Sequence, residues 1–211
     1  VDGEEVHEVA VGPVHACVID PGNILFQCIG ERVMHLEIHL VNHHRWIETM
    51  IPEVAPARIP SLIAGIAGDT VVGHKLCYCQ GVEALTDRQP DGAARIVRTI
   101  GLELERLANH TGDLGALSGD VAFLPPANYC GRMRGDFLNM SLWLCGSRFG
   151  KTLVRPGGVG TKLTDEDRFT IRERLRVLRP EVEHTIDLIF TTPSVRARFE
   201  GCGRVSRDDA N

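Results

Sequence analysis

The sequence predicts an α+β fold that is mainly α: a small N-terminal antiparallel β-sheet followed by a helical bundle. Two observations carry this. Apolar residues alternate with a period of two up to Leu40, and from there recur at about 3.6 residues. The punctuation between the early runs is turn chemistry, Asp20-Pro21-Gly22-Asn23 and Gly30-Glu31-Arg32. One domain is expected over residues 1–211, with the β-meander in 1–41 and the bundle in 42–211.

Three short runs make up the expected sheet: His15–Asp20, Ile24–Ile29 and Val33–Leu40. Each is β-branched or alternating. In the third, Val33, His35, Glu37 and His39 fall on one face, and Met34, Leu36, Ile38 and Leu40 on the other. The first helix is expected over Thr70–Leu85 with Asp69 as its N-cap. Asp91 caps the second, whose apolar face is Ala93, Val97, Ile100, Leu104, Leu107 and Ala108. A third helix is read from Ala127 to Arg148. A fourth opens at the capping-box-like Thr164-Asp165-Glu166-Asp167 and runs to Leu178. Pro180 is expected to break or kink it before a further helical stretch, Glu181–Phe190. Between the third and fourth helices, Arg155–Gly160 reads as a flexible loop, too rich in Gly and Pro for helix or strand.

Composition narrows the function. The chain has 211 residues, 43% of them hydrophobic and 24% charged, a net charge of -5 and no clustered basic surface. Nucleic-acid binding is not expected, because phosphate neutralisation needs grouped Lys and Arg. Arg172–Arg179 alternates with Leu and Val as the solvated side of an amphipathic helix would. No apolar run reaches the roughly twenty residues of a membrane span, so no transmembrane segment is expected. The acidic start is not a signal peptide. It lacks an initiator Met, as an excised piece would, and Ser206–Asn211 looks like a helix start with no helix after it. A longer parent chain is therefore expected. Seven cysteines, mostly in apolar segments, point to reduced thiols and a cytosolic compartment.

Several side chains could carry chemistry. His15, behind the Gly12-Pro13 turn, could exchange a proton near neutrality or simply be a polar strand end. His43-His44-Arg45 sits where sheet gives way to helix, and adjacent histidines on a strand diverge. His74 shares a helix face with Cys77 and Tyr78. Cys77 and Cys79 differ by about 200° around a helix, which makes them a poor metal clamp. Glu83 falls late in an apolar helix and needs a partner if buried. Glu103, Arg106 and His110 share one face, either as a structural ion pair or as a charge network near a redox site. No C-x-x-C, G-x-G-x-x-G or P-loop is present.

Four stretches, in order, resemble one family. Gly12-Pro13-Val14-His15 is similar to the opening Gly-Pro-x-His of nickel–iron hydrogenase large subunits and of the quinone-site large subunit of respiratory complex I. His44-Arg45-x-Ile47-Glu48 resembles the family's His-Arg-Gly-Ile-Glu, with Trp46 in place of Gly. Glu103–His110 is similar to its Glu-Leu-x-Arg-x-x-Asn-His helix, and Arg155–Val159 to its Arg-Pro-Gly-Gly-Val loop. The resemblance runs to large subunits of energy-converting, formate-hydrogenlyase-type hydrogenases. It implies a large-subunit piece of a membrane-associated oxidoreductase complex of hydrogenase or NADH:quinone oxidoreductase type, inactive by itself. Its implied partners are iron–sulfur and membrane subunits, at the cytoplasmic, inner face of the cell membrane. Relatives use Ni–Fe or quinone. Here Ile63–Asp69 carries alanines where the first thiolate pair aligns, so no metal and no cofactor of its own are expected. By the same resemblance His15, Asp69, His74 and Glu83 are the catalytic candidates, with His44, Arg45, Glu103, Arg106 and His110 as cavity or network residues. A non-catalytic scaffold or assembly subunit that keeps the fold is the alternative.

Overall fold

The computed structural model describes residues 3, 5–14, 21–40, 42 and 44–210. The chain parts into two compact units, Val1–Pro52 and Glu53–Asn211. The fold is α+β and mainly α, with the sheet at the N-terminal end.

The first unit is a three-stranded antiparallel meander, β1 (Val6–Val11), β2 (Asn23–Ile29) and β3 (Arg32–His39), then a single turn, α1 (Ile47–Met50). Val9, Phe26 and Leu36 stand in one cross-strand row, and Val11, Ile24 and Ile38 in another. Those rows make one sheet face apolar, which fixes the register, since a one-residue slip would turn every side chain over. The first strand expected from sequence, 15–20, lies outside the described residues. β1 is instead an earlier segment whose charged neighbours mask its alternation.

The second unit begins with a 3-10 turn (Pro56–Arg58) and α2 (Ile59–Ile63). The long helices α3 (Val71–Thr86), α4 (Gly92–Asp120) and α5 (Leu124–Cys145) follow. A hairpin of β4 (Val154–Arg155) and β5 (Gly158–Val159), then α6 (Asp165–Thr191) and α7 (Pro193–Phe199), complete it. Helices α4, α5 and α6 bury one cluster containing Leu104, Ala108, Met133, Phe137, Met140 and Leu178. A second cluster joins α3 to the hairpin through Val72, Cys79, Val97, Leu144, Leu153 and Val154. Close packing at α4 needs glycine. A Cβ on Gly101 would overlap the Leu153 side chain, and one on Gly115 would stand 2.9 Å from the Cys130 Cβ.

Three sequence expectations are corrected. Asp69 does not cap α3. Thr70 holds the N-cap position without a side-chain bond, and the cap comes from the neighbouring helix, as described below. Pro180 does not end its helix: α6 runs unbroken from Asp165 to Thr191. A single proline removes one backbone donor, and Ile171, Leu178, Thr185 and Ile189 lie buried on both sides of it. Arg155–Gly160 is no loose loop. It is a two-stranded hairpin turned by Pro156-Gly157, with Gly157 at φ 78°, the Pro-Gly chemistry of a type II turn. The Asp91 cap and the Thr164–Asp167 capping box form as read.

Candidate functional site

One buried ionic assembly dominates the helical unit. Lys75, Cys79 and Glu83 recur at four-residue intervals along α3, and all three are buried. Opposite Glu83 stands Arg98 of α4, also buried. Arg98 Nη1 donates to Glu83 Oε2 at 3.0 Å, and Nη2 donates to Oε1. The same guanidinium reaches the hairpin: Nη2 donates to the Arg155 carbonyl at 2.8 Å, and Nε to that of Gly158 at 3.2 Å. The Gly157 N–H then closes the circuit onto Glu83 Oε1 at 2.7 Å. Arg98 suits this position because its planar fork satisfies a carboxylate and carbonyls together, which a Lys ammonium could not. The guanidinium holds the Glu83 carboxyl below its ordinary range against the opposing effect of burial, and Glu83 raises Arg98 in turn.

A second carboxylate organises the start of α3. Glu105, on α4, accepts the Val72 N–H at 2.6 Å and the Gly73 N–H at 2.9 Å. These are two of the helix's orphan donors. Burial pushes the Glu105 carboxyl above its ordinary range, opposed by those backbone bonds. Asn109, one turn on, donates from Nδ2 to the Asp69 carbonyl at 3.3 Å. The first turn of α3 and the Asp69 carbonyl just before it are therefore held from α4 by tertiary bonds.

The sequence candidates separate. His15 lies outside the described residues. His44 and Arg45 belong to the first unit and are exposed, the His44 ring edge-on to Trp46 with centroids 5.2 Å apart. Asp69 is exposed and His74 half-buried, both at the start of α3. Glu83 is nine residues beyond His74, about 13 Å along the axis at 1.5 Å per residue. It lines a surface cavity of about 560 Å³ with Pro156 and Gly157. Glu103 and Arg106 form a half-exposed ion pair at 3.2 Å, and His110 is exposed beyond them. Cys77 is exposed and Cys79 buried, so the two thiols diverge on α3.

Sequence reading misses Lys75, Arg98 and Glu105. Lys75 and Glu83 at i and i+8 on an apolar helix are a legible signal. Arg98 carries a weaker one, a lone cation on the apolar side of α4. Nothing local marks Glu105 over Glu103.

The residues before α3 do not fit a thiolate-held nickel–iron centre. Ile63–Asp69 supplies no sulfur, and Asp69 is its one ionisable side chain.

Comparison with known proteins finds relatives over nearly the whole chain. Residues 120–211 match the family model of the respiratory-chain NADH dehydrogenase 49 kDa subunit. Formate hydrogenlyase subunit 5 of Escherichia coli (strain K12) is 27% identical over 210 residues, covering 96% of this chain and 37% of that protein. NADH-quinone oxidoreductase subunit 4 of Thermus thermophilus is 27% identical over 199 residues, covering 94% and 49%. A solved archaeal respiratory membrane complex, the membrane-bound sulfane sulfur reductase, contains a chain of the same fold. Its TM-score is 0.85 at 20% identity, over 94% of this chain and 53% of that one. The chain thus spans between 37% and 53% of the length of these relatives. On the motifs in order and these matches, the chain is similar to the superfamily of nickel–iron hydrogenase large subunits and complex I 49 kDa subunits, and it shares the fold of the archaeal chain.

Proposed function

We propose that this chain is part of the large subunit of a membrane-associated redox complex of hydrogenase or NADH:quinone oxidoreductase type, working without a nickel–iron centre of its own. The observation that carries the reading is the segment 63–69. It leads into the start of α3, where Glu105 holds the Val72 and Gly73 N–H groups, and its last residue, Asp69, accepts from Asn109, yet it offers no sulfur. A position so held, with Asp69 and His74 beside it, is suited to handling protons at a quinone or vestigial cavity. Iron–sulfur and membrane subunits are the proposed partners, at the cytoplasmic face of the membrane. No helix among the described residues is long and apolar enough to cross a membrane.

The scaffold alternative draws on one observation. Glu83, a catalytic candidate by resemblance, has both carboxylate oxygens committed to Arg98 and the Gly157 amide. The complex purified from host membranes separates the readings. Co-migration of the chain with membrane and iron–sulfur subunits is expected, as is loss of quinone reduction in Asp69→Asn and His74→Ala complexes that still assemble. Full activity in both variants would establish the scaffold, and a chain found only as a free soluble monomer would sink both.

A further inference from the structure

Lys75 is 6% exposed. Lysines this buried are ordinarily paired with an acid. Among the described residues no carboxylate forms an ion pair with it. One of its three N–H donors goes to the Lys151 carbonyl. The nearest acid on its face, Glu83, is held by Arg98. Burial pushes the Cys79 thiol up, so at neutral pH it supplies no counter-charge. Burial likewise pulls the Lys75 ammonium down, and Arg155 nearby adds to that. The local charge balance is incomplete.

Lys75 lines an open cavity of about 430 Å³ within the helical unit. Lys151 and Arg155 line it too, giving three cations and no lining carboxylate. Tyr78 supplies a phenol, while Pro56 and Pro60 add apolar surface to the lining. Two lysine point charges and a planar guanidinium are the usual equipment for an oxyanion. The volume falls within the range of small-molecule sites and leaves room for an apolar body beside the charge.

We propose that this cavity binds a small organic oxyanion, a phosphate or carboxylate carried on an apolar group, with Lys75 at its floor and Lys151 and Arg155 at its mouth. The proposal is independent of the redox reading above, since the cavity contains none of the residues named there as catalytic.

Calorimetric titration of the purified protein with inorganic phosphate, phenyl phosphate and benzoate tests it. Saturable one-to-one binding is expected, tightest for one of the two aromatic anions, and the better of these assigns the head group. Lys75→Met should weaken that binding roughly tenfold or more, the loss of one charge-assisted hydrogen bond. Lys151→Gln and Arg155→Gln should each weaken it too. Both alter exposed side chains, so they keep the test decisive should the buried variant misfold. Arg172→Gln, on α6 and away from the cavity lining, should leave affinity unchanged. No saturable binding by any probe, or affinity unchanged from the parent in all three cavity variants, would overturn the proposal. So would an equal loss in Arg172→Gln, because binding would then follow net charge alone.

Discussion

Glu83 and Arg98 show how much one side-chain pair can determine. Each is buried, and together they fasten α3, α4 and the β4–β5 hairpin. Removing one partner leaves the other charged and dry. Arg98→Met should therefore cost about 3–5 kcal/mol in chemical denaturation. The double variant Glu83→Leu with Arg98→Met should recover much of that, because no unpaired charge remains. An additive double variant would contradict this account. The pH dependence follows from the sign of the shift. Arg98 lowers the Glu83 pKa, so the folded state binds that proton less readily than the unfolded chain. The resulting stability is fully present above the ordinary carboxylate range and is lost as pH falls through the lowered folded value. Glu83→Gln should be less stable than the parent at neutral pH, with the gap narrowing in acid. A pH-independent gap would refute the linkage. Glu105 has the opposite sign: burial raises its pKa, so its ionisation costs stability as pH rises through the window between its unfolded and folded values.

At the scale of elements, the helices owe their positions to close backbone approach as much as to apolar stripes. Gly101 sits where α4 meets Leu153, itself buried just before the hairpin. Gly101→Ala should overpack that contact and cost about 1–3 kcal/mol. Leu153→Ala in the same chain should relieve the overlap, so the pair should lose less than the sum of the singles in thermal denaturation. Additivity would show that the helix shifts freely. The hairpin runs against its composition, since Pro-Gly content alone suggests looseness. It is tied to the helices through Arg98 and Glu83, which are 57 and 74 residues away from their backbone partners in it.

For the whole molecule, the pressing question is what this fold does with a segment before α3 that carries no thiolate. Segment 63–69 is tied to α4 through the Asn109–Asp69 bond while offering no sulfur. Metal analysis of the protein purified from its host should find no stoichiometric nickel, and one nickel per chain would overturn the proposed function. The fold class, the Asp91 cap and the capping box at Thr164 are all legible in sequence, because period and capping are local. Strand β1, with polar residues interleaved, and helix α7, only seven residues long, are not. Signals that short compete poorly with their neighbours.

By itself the sequence determined that a small sheet precedes a helical bundle and where most long helices lie. It also determined which family motifs occur in which order, and that Glu83 would need a partner if buried. Those properties depend on residues within a few turns of one another. Only the tertiary structure decided that the partner is Arg98, that Glu105 rather than Asp69 caps α3, and that Lys75 is buried with no acid paired to it among the described residues. Each is set by how separate elements meet in space. Side-chain order along one helix holds no record of it.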